Sequence, residues 1–137
     1  MNYARAQHFP ARLQSLSQLR HFLESFCTEA GLGRDAALRL NIVLEELFVN
    51  TVVHGHRGDC DAPVWLTLTS DSACVVLSYE DTSPPYNPYG EARAVESTVQ
   101  ARTVGGLGVQ LTHELAEARE YAYVFGRNRI RLRVRAA

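Results

Sequence analysis

The strongest periodic pattern in the chain lies at residues 38–56, which read LRLNIVLEELFVNTVVHGH. Apolar side chains recur there every three or four positions, as on one face of an amphipathic helix; they are Leu40, Val43, Leu44, Leu47 and Phe48. Glu46, Asn50 and His54 follow one another at intervals of four, which places them on a polar stripe of the same helix. The segment therefore predicts one long helix with two chemically different faces.

An earlier helix is predicted from Ser15, because its apolar side chains have the same spacing; they are Leu16, Leu19, Phe22, Leu23 and Phe26. Gly31 and Gly33 supply the stop. The central helix then runs from about Asp35, and Gly55 is placed to end it.

Two β-hairpins are predicted from runs of β-branched and aromatic residues. The first joins residues 63–69 to 73–79, and the second joins 120–125 to 129–135 around the turn 126–128. Before the first helix, Phe9-Pro10 suggests an extended piece, since an edge strand tolerates proline.

The connection between the hairpins keeps no sustained period over residues 82–104, where prolines and a glycine interrupt regular structure. A short helix is predicted at 91–100, and a second one, 109–115, opens on the glycine turn 105–108. A connection this long in a compact domain is more often functional than passive.

This order of elements predicts an α+β fold, a two-layer sandwich in which helices pack on one face of a mixed, mostly antiparallel sheet. The chain has 137 residues, which suits a single domain with a sizeable core.

Composition narrows the possible functions. The formal net charge is −1, so there is no overall electrostatic signature of nucleic-acid or anionic-membrane binding. All 14 basic residues are arginines, which excludes a catalytic lysine and a lysine-dependent phosphate loop. Cys27, Cys60 and Cys74 form no C-x-x-C pair, and no apolar run is long enough for a membrane span. We expect a cytoplasmic protein.

Three short patterns carry candidate chemistry, each with a plainer alternative. Glu46 and Asn50, one turn apart, can together meet a metal ion, its water and a phosphate, or they are an exposed helix face. The glycine turn 105–108 presents backbone amides to an anion, or it is a flexible loop end. Asp81, after a strand, is a ligand group or an ordinary strand terminus.

A fourth cluster contains residue types that bind zinc: His54, His56, Asp59 and Cys60. A zinc site needs three or four converging ligands, and no second cluster is evident elsewhere in the sequence. The alternative is a helix end that runs into a polar loop.

Taken in order, these motifs resemble a known family. EELFVNTVVHG resembles the N box of the GHKL ATPases, EDTSPPYNP resembles their aspartate motif, and GGLGVQL resembles their second glycine motif. The resemblance runs from about Phe9 to Val134 and is strongest to the bacterial anti-sigma-factor serine kinases. It implies the Bergerat-type ATP-binding fold, with residues 82–104 acting as a lid over the nucleotide.

The resemblance also implies roles for individual residues. Asn50 would coordinate Mg²⁺, Glu46 would orient or deprotonate the attacking hydroxyl as the catalytic residue, and Asp81 would accept a hydrogen bond from the adenine amino group. Ser83 stands where the family usually has glycine. The full expected set of ATP-binding residues is Asn50, His54, Asp81, Ser83, Gly105, Gly106, Leu107 and Gly108.

The same resemblance implies that the chain would be an ATP- and Mg²⁺-dependent serine/threonine protein kinase and anti-sigma-factor-like regulator. Its expected partners are a STAS-domain anti-anti-sigma protein, which carries the substrate serine, a sigma factor, and a second copy of itself in a homodimer. The alternative is a non-catalytic binding module of the same fold, for which Ser83 argues. A sensor histidine kinase is disfavoured, since His21 lacks the acidic and proline context of a phosphoacceptor.

Overall fold

The computed structural model describes residues 2–71, 73–87 and 116–136. Its elements are β1 (Tyr3–Pro10), α1 (Leu16–Ala30), α2 (Arg34–Val49), β2 (Pro63–Ser70), β3 (Cys74–Asp81), β4 (Ala116–Val124) and β5 (Arg127–Arg135). The glycine turn 105–108, the helices predicted at 91–100 and 109–115, and most of the predicted lid lie outside the described residues. No helix in the described ranges is long and apolar enough to cross a membrane.

The five strands form one sheet in the order β1-β2-β3-β5-β4, and every pairing between these described strands is antiparallel. With both helices, this confirms the predicted α+β architecture. The N-terminal strand lies at the sheet edge as expected, and Pro10 is its last residue, where a missing N–H costs least. β5 lies between β3 and β4, which brings the ends of β3 and β5 together.

The core lies between the helices and one face of the sheet. Successive strand residues point to opposite faces, so alternate residues of β2 and β5 are buried in this core. Phe9 of β1 and Phe22 of α1 meet edge to face with ring centroids 5.9 Å apart. The apolar stripes predicted for both helices are buried in this core, apart from Leu16, which is only partly buried.

The two helices end differently. α1 stops at Gly31, whose φ of 72° is the left-handed conformation that glycine adopts without strain. α2 does not stop at Val49 but continues as a π-helical turn, Asn50–Gly55, in which the His56 amide donates to the Thr51 carbonyl at 2.8 Å. The predicted end at Gly55 is therefore confirmed, although the last turn is wider than an α-helix. Such π turns are rare and often lie at functional sites.

The turn predicted at residues 126–128 is wrong, since the observed turn begins one residue earlier and ends two residues earlier. The hairpin turns on Phe125 and Gly126, whose φ values of 53° and 76° are both left-handed. Two successive positive φ values match the twist of a two-residue hairpin. Asn128 consequently belongs to β5, where it pairs with Asp81 of β3.

Candidate functional site

A cavity of about 400 Å³ opens between the π-helical turn and the ends of β3 and β5. Asn50 and His54 line it from the turn, Asp81 and Ser83 from the end of β3, and Asn128 from β5. Its volume lies within the range of cavities that bind small molecules and cofactors.

Asp81 accepts four hydrogen bonds in the cavity wall and is only 6% exposed. Its Oδ1 accepts from the Ser83 amide at 3.2 Å, the Ser83 hydroxyl at 3.0 Å and Asn128 Nδ2 at 2.9 Å. Its Oδ2 accepts from Thr51 Oγ1 at 2.7 Å. An ionised carboxylate offers about four lone-pair directions, two on each oxygen. The three donors to Oδ1 therefore use all of its acceptor capacity, whereas Oδ2 has one donor and keeps one lone-pair direction free.

Thr51 connects Asp81 to Tyr79. The two hydroxyl oxygens are 2.6 Å apart, and both lie 3.1 Å from the Leu47 carbonyl. Since Thr51 gives its proton to Asp81, Tyr79 donates to Thr51 or to that carbonyl. Complete burial raises the pKa of Tyr79 well above its ordinary value, which keeps this donor protonated.

Asn128 fixes the other side of Asp81. Its Oδ1 accepts from the Tyr86 amide at 2.9 Å and from the Tyr121 hydroxyl, while its Nδ2 also donates to the Ser83 carbonyl at 2.9 Å. Both ends of the amide are therefore bonded, and only one orientation satisfies them. We call Asp81, Ser83, Asn128, Thr51 and Tyr79 the Asp81 cluster.

Ser83 fits this cluster without backbone strain, because its φ is not positive. Its side chain is buried and fills the space beside Gly55. A Cβ placed on Gly55 would lie 2.6 Å from the Ser83 Cβ and 2.8 Å from its hydroxyl. The Ser83 side chain thus fits in this position because Gly55 has no side chain.

The cavity also meets the polar stripe of Glu46, Asn50 and His54, of which Asn50 and His54 line it. No side-chain hydrogen bond joins any of the three to another described residue, in contrast to the Asp81 cluster. Burial raises the pKa of Glu46, and the nearby charge of His54 lowers it by a smaller amount. Asn50 and His54 line the cavity, whereas Glu46 lies one turn before Asn50 and outside the lining.

The structure thus brings four of the predicted site residues together around one cavity: Asn50, His54, Asp81 and Ser83. Predicted contributions from the glycine turn 105–108, Leu107 included, lie outside the described residues. Among the residues that are described, no group of three His, Cys, Asp or Glu side chains is placed to hold a metal ion.

Sequence reasoning missed Thr51, Tyr79 and Asn128 in the cavity wall. The best available signal was position: Thr51 directly follows Asn50, and Tyr79 precedes Asp81 by two residues on the same strand face. Arg57 also lines the cavity and has a left-handed φ of 60°, which is unusual for a residue with a long side chain. No local pattern marked Asn128 or Arg57.

Comparison with known proteins gives two findings. The sequence profile of the histidine kinase-like ATPase domain matches residues 9–134, which is most of the chain. An anti-sigma F factor from Bacillus velezensis is 27% identical over 85 residues, covering 62% of this chain. The aligned stretch spans 58% of that relative's length.

Proposed function

The chain belongs to the family of histidine kinase-like ATPase domains, and from this premise we propose that its cavity binds ATP with Mg²⁺ and that it is a serine/threonine protein kinase. The nucleotide base would lie against the Asp81 cluster and the phosphates would extend along the polar stripe.

The observation that carries the proposal is the hydrogen bonding of the Asp81 carboxylate. Four donors hold it in one position, and Oδ2 retains a free acceptor direction. A buried acceptor that is already fixed in place loses little entropy when a ligand donor arrives. An exocyclic amino group, such as that of adenine, is a donor of the right kind. Guanine presents a carbonyl at the corresponding position and would face the carboxylate unfavourably.

The polar stripe fits the other half of the ligand. Mg²⁺ takes oxygen ligands, keeps several waters and is commonly held by one or two protein groups together with substrate phosphates. Asn50 offers an amide oxygen at the cavity wall and has no competing side-chain hydrogen bond within the described part of the chain. When bound, the ion would neutralise charge on the phosphates, and Asn50 would hold it on this wall.

Glu46 is the proposed general base. Its raised pKa lies closer to neutrality than that of an ordinary glutamate, which suits a group that accepts a proton from a hydroxyl. Phosphoryl transfer needs mainly positioning and charge neutralisation, so one such carboxylate is enough. Arg57, at the cavity wall, adds a positive charge that a phosphate can meet.

For the substrate, we propose a serine of a STAS-domain anti-anti-sigma protein, within a partner-switching circuit that also involves a sigma factor. Support comes from the name of the Bacillus velezensis relative, an anti-sigma F factor, and from the anti-sigma resemblance of the motifs. A homodimer is part of the same proposal.

The direct test incubates the protein with Mg-ATP and a STAS-domain protein encoded nearby, followed by intact-mass measurement of both. We expect the STAS protein to gain the mass of one phosphoryl group on serine or threonine. A STAS protein that forms a complex but never gains this mass would contradict the kinase assignment.

A second candidate is the non-catalytic binding module. The observation that favours it is the position of Glu46 outside the cavity lining, since a general base has to reach the reacting hydroxyl. A binding module would form the complex with the STAS protein whether or not it binds ATP. Glu46→Gln would leave that complex unchanged.

A further inference from the structure

The open face of the sheet carries a row of five arginines on one strand. Alternate residues of β5 point away from the core; they are Arg127, Arg129, Arg131, Arg133 and Arg135, here called the arginine strip. Residues between them, such as Ile130 and Leu132, are buried. Alternate strand residues lie about 7 Å apart, so the strip is roughly 27 Å long.

Three acidic residues near the strip are Glu80, Glu120 and Asp71, and the pKa of Asp71 is lowered by backbone hydrogen bonds and, to a smaller extent, by the charge of Arg133. Glu80 of β3 pairs in register with Arg129, and Glu120 of β4 pairs with Arg131. The other cross-strand neighbours of Arg131 and Arg133 are small or apolar; they are Ser78, Val76 and Ala118. Within the described part of the chain, neither Arg131 nor Arg133 forms a salt bridge, and both are exposed.

This concentration of charge is unusual for the protein as a whole. The chain has a formal net charge of −1, yet nine consecutive residues hold five of its 14 basic side chains. Arranging five like charges on one strand costs repulsion in the free protein. A partner that neutralises them would remove that cost. Both helices pack on the opposite face, so nothing in the described ranges covers the strip.

From this arrangement we propose that the arginine strip docks an acidic segment of a partner protein. Arginine forks bind carboxylates in a bidentate manner and are weakly hydrated, which suits protein interfaces. Carboxylates recur about every 7 Å on an extended segment with alternating acidic residues, and about every 6 Å on a helix with i, i+4 spacing. Either repeat matches the strip. The site lies on the sheet face that does not contain the nucleotide cavity, so this proposal does not depend on the kinase assignment.

A protein fits this face better than a nucleic acid does. Glu80 and Glu120 lie among the arginines, where a continuous phosphate backbone would meet them. The aromatic residue of this face, Trp65, has the Arg127 guanidinium 3.5 Å above its ring, and Arg127 also bonds Glu80 at 3.1 Å. That ring face is therefore not free for a nucleobase to stack on, although single-strand binding normally uses such stacking.

The test uses a fluorescein-labelled peptide of about fourteen residues in which Glu and Thr alternate, titrated with the full chain at low salt without nucleotide. Matched variants separate the strip from general charge: Arg131→Gln with Arg133→Gln removes two strip charges. Arg34→Gln with Arg39→Gln removes two exposed charges from α2. We expect the strip variant to bind about fivefold more weakly and the helix variant to stay within about twofold of wild type.

Three results would overturn the proposal. The first is equal binding by the strip and helix variants, or no binding of the peptide at millimolar protein. The second is tighter binding of a single-stranded oligo-dT, or of vesicles containing phosphatidylserine, than of the peptide. The third is a wild-type dimer in sedimentation experiments that only the strip variant dissociates, since a second copy would then be the occupant.

Phe125 allows a further control. It lies at the hairpin tip beside Arg127, is 97% exposed and has a left-handed φ of 53°, which asparagine adopts more readily. Phe125→Asn should therefore keep the hairpin and leave peptide affinity within about twofold of wild type. A large loss of peptide binding in this variant would show that the hairpin tip, not the strip, holds the peptide.

Discussion

The two walls of the cavity differ in how fully their polar groups are used. In the Asp81 cluster, every polar side chain has a hydrogen-bond partner inside the protein, and Asp81 alone accepts from four donors. The polar stripe of Glu46, Asn50 and His54, of which Asn50 and His54 line the cavity, forms no side-chain hydrogen bond with the described residues. The first wall is rigid before any ligand arrives, whereas the second has its bonding capacity free for one.

Two adjacent glutamates show the same difference within one helix. Glu45 accepts from Arg20 at 2.8 and 3.1 Å and from Asn41 at 2.8 Å, and the bond from Arg20 lowers its pKa. Glu46 has no such donor, and burial raises its pKa. Glu45 thus ties α2 to α1, while ionised Glu46 is a cost to folding. Groups that destabilise the free protein are common at functional sites.

The largest expected effect is on phosphoryl transfer by Glu46→Gln. The change keeps the shape of the side chain and removes the proposed base, so we expect a loss of about a hundredfold or more with nucleotide binding retained. Glu45→Gln is the matched control and should leave the transfer rate within about threefold of wild type. In the wild type, the rate should rise as pH increases through the raised pKa of Glu46. Equal losses in the two variants would remove the distinction between these residues.

The same pair should differ in stability, with opposite signs. A raised pKa means that the folded state holds the Glu46 proton more tightly, so stability falls as pH rises through that pKa. Glu46→Gln should then leave the melting temperature at neutral pH unchanged or higher. The lowered pKa of Glu45 stabilises the fold above the unfolded-state pKa, and this contribution is lost as pH falls through the folded-state pKa. Glu45→Gln should therefore lower the melting temperature at neutral pH but not in acid.

The next largest effect is on nucleotide affinity, through Asp81→Asn. The amide would place a donor against Thr51, Ser83 or Asn128 and would lose charge-assisted bonds, so we expect ATP affinity to fall about tenfold to a hundredfold. Asp71→Asn is the control, because Asp71 accepts amides only in the link between β2 and β3. Calorimetric titration measures both. Unchanged ATP affinity in folded Asp81→Asn would exclude Asp81 from the binding site.

A smaller effect concerns the contact between Gly55 and Ser83. Gly55→Ala should lower the free energy of unfolding by about 1–3 kcal/mol, because the new methyl group overlaps the Ser83 side chain. Combined with Ser83→Gly, the same change should cost much less, since the obstructing side chain is gone. Urea unfolding of the four proteins in this cycle gives the coupling. Additive costs would show that the two positions do not compete for space.

Ser83→Gly alone tests whether the departure from the family pattern weakens ATP binding. The change removes the hydroxyl that donates to Asp81 at 3.0 Å, so Oδ1 keeps two donors instead of three, and it removes a side chain from the cavity wall. We expect ATP affinity to stay equal or to rise, by up to about tenfold. A clear fall in affinity would mean that the Ser83 hydroxyl holds Asp81 in its binding position.

Much of the fold could be predicted from local pattern. The helix stripes, the first hairpin and the edge strand depend on residues close in sequence, and all three are found. The wider last turn of α2 could not be foreseen, because intervals of four residues look the same whether the helix stays α or becomes π at Asn50. The turn at Phe125 was missed because a bulky residue seldom takes a left-handed φ.

The candidate site divides in the same way. Glu46, Asn50 and Asp81 stood out through short motifs, whereas Asn128 is a site residue only because β5 pairs with β3, bringing it opposite Asp81 from 47 positions away. Strand order is set by the whole sheet and leaves little trace in the local sequence. Thr51 has the same explanation, since its partners lie on β3.

The measurement that tests the central claim most directly is a calorimetric comparison of adenosine with Mg-ATP on three proteins: wild type, Asp81→Asn and Asn50→Ala. If the Asp81 cluster binds the base and the polar stripe binds the metal and phosphates, Asp81→Asn weakens the binding of both adenosine and Mg-ATP. Asn50→Ala then weakens Mg-ATP alone, by about tenfold or more, and leaves adenosine unchanged. Equal weakening of adenosine by both variants, or no effect of either variant on Mg-ATP, would contradict this division of the cavity.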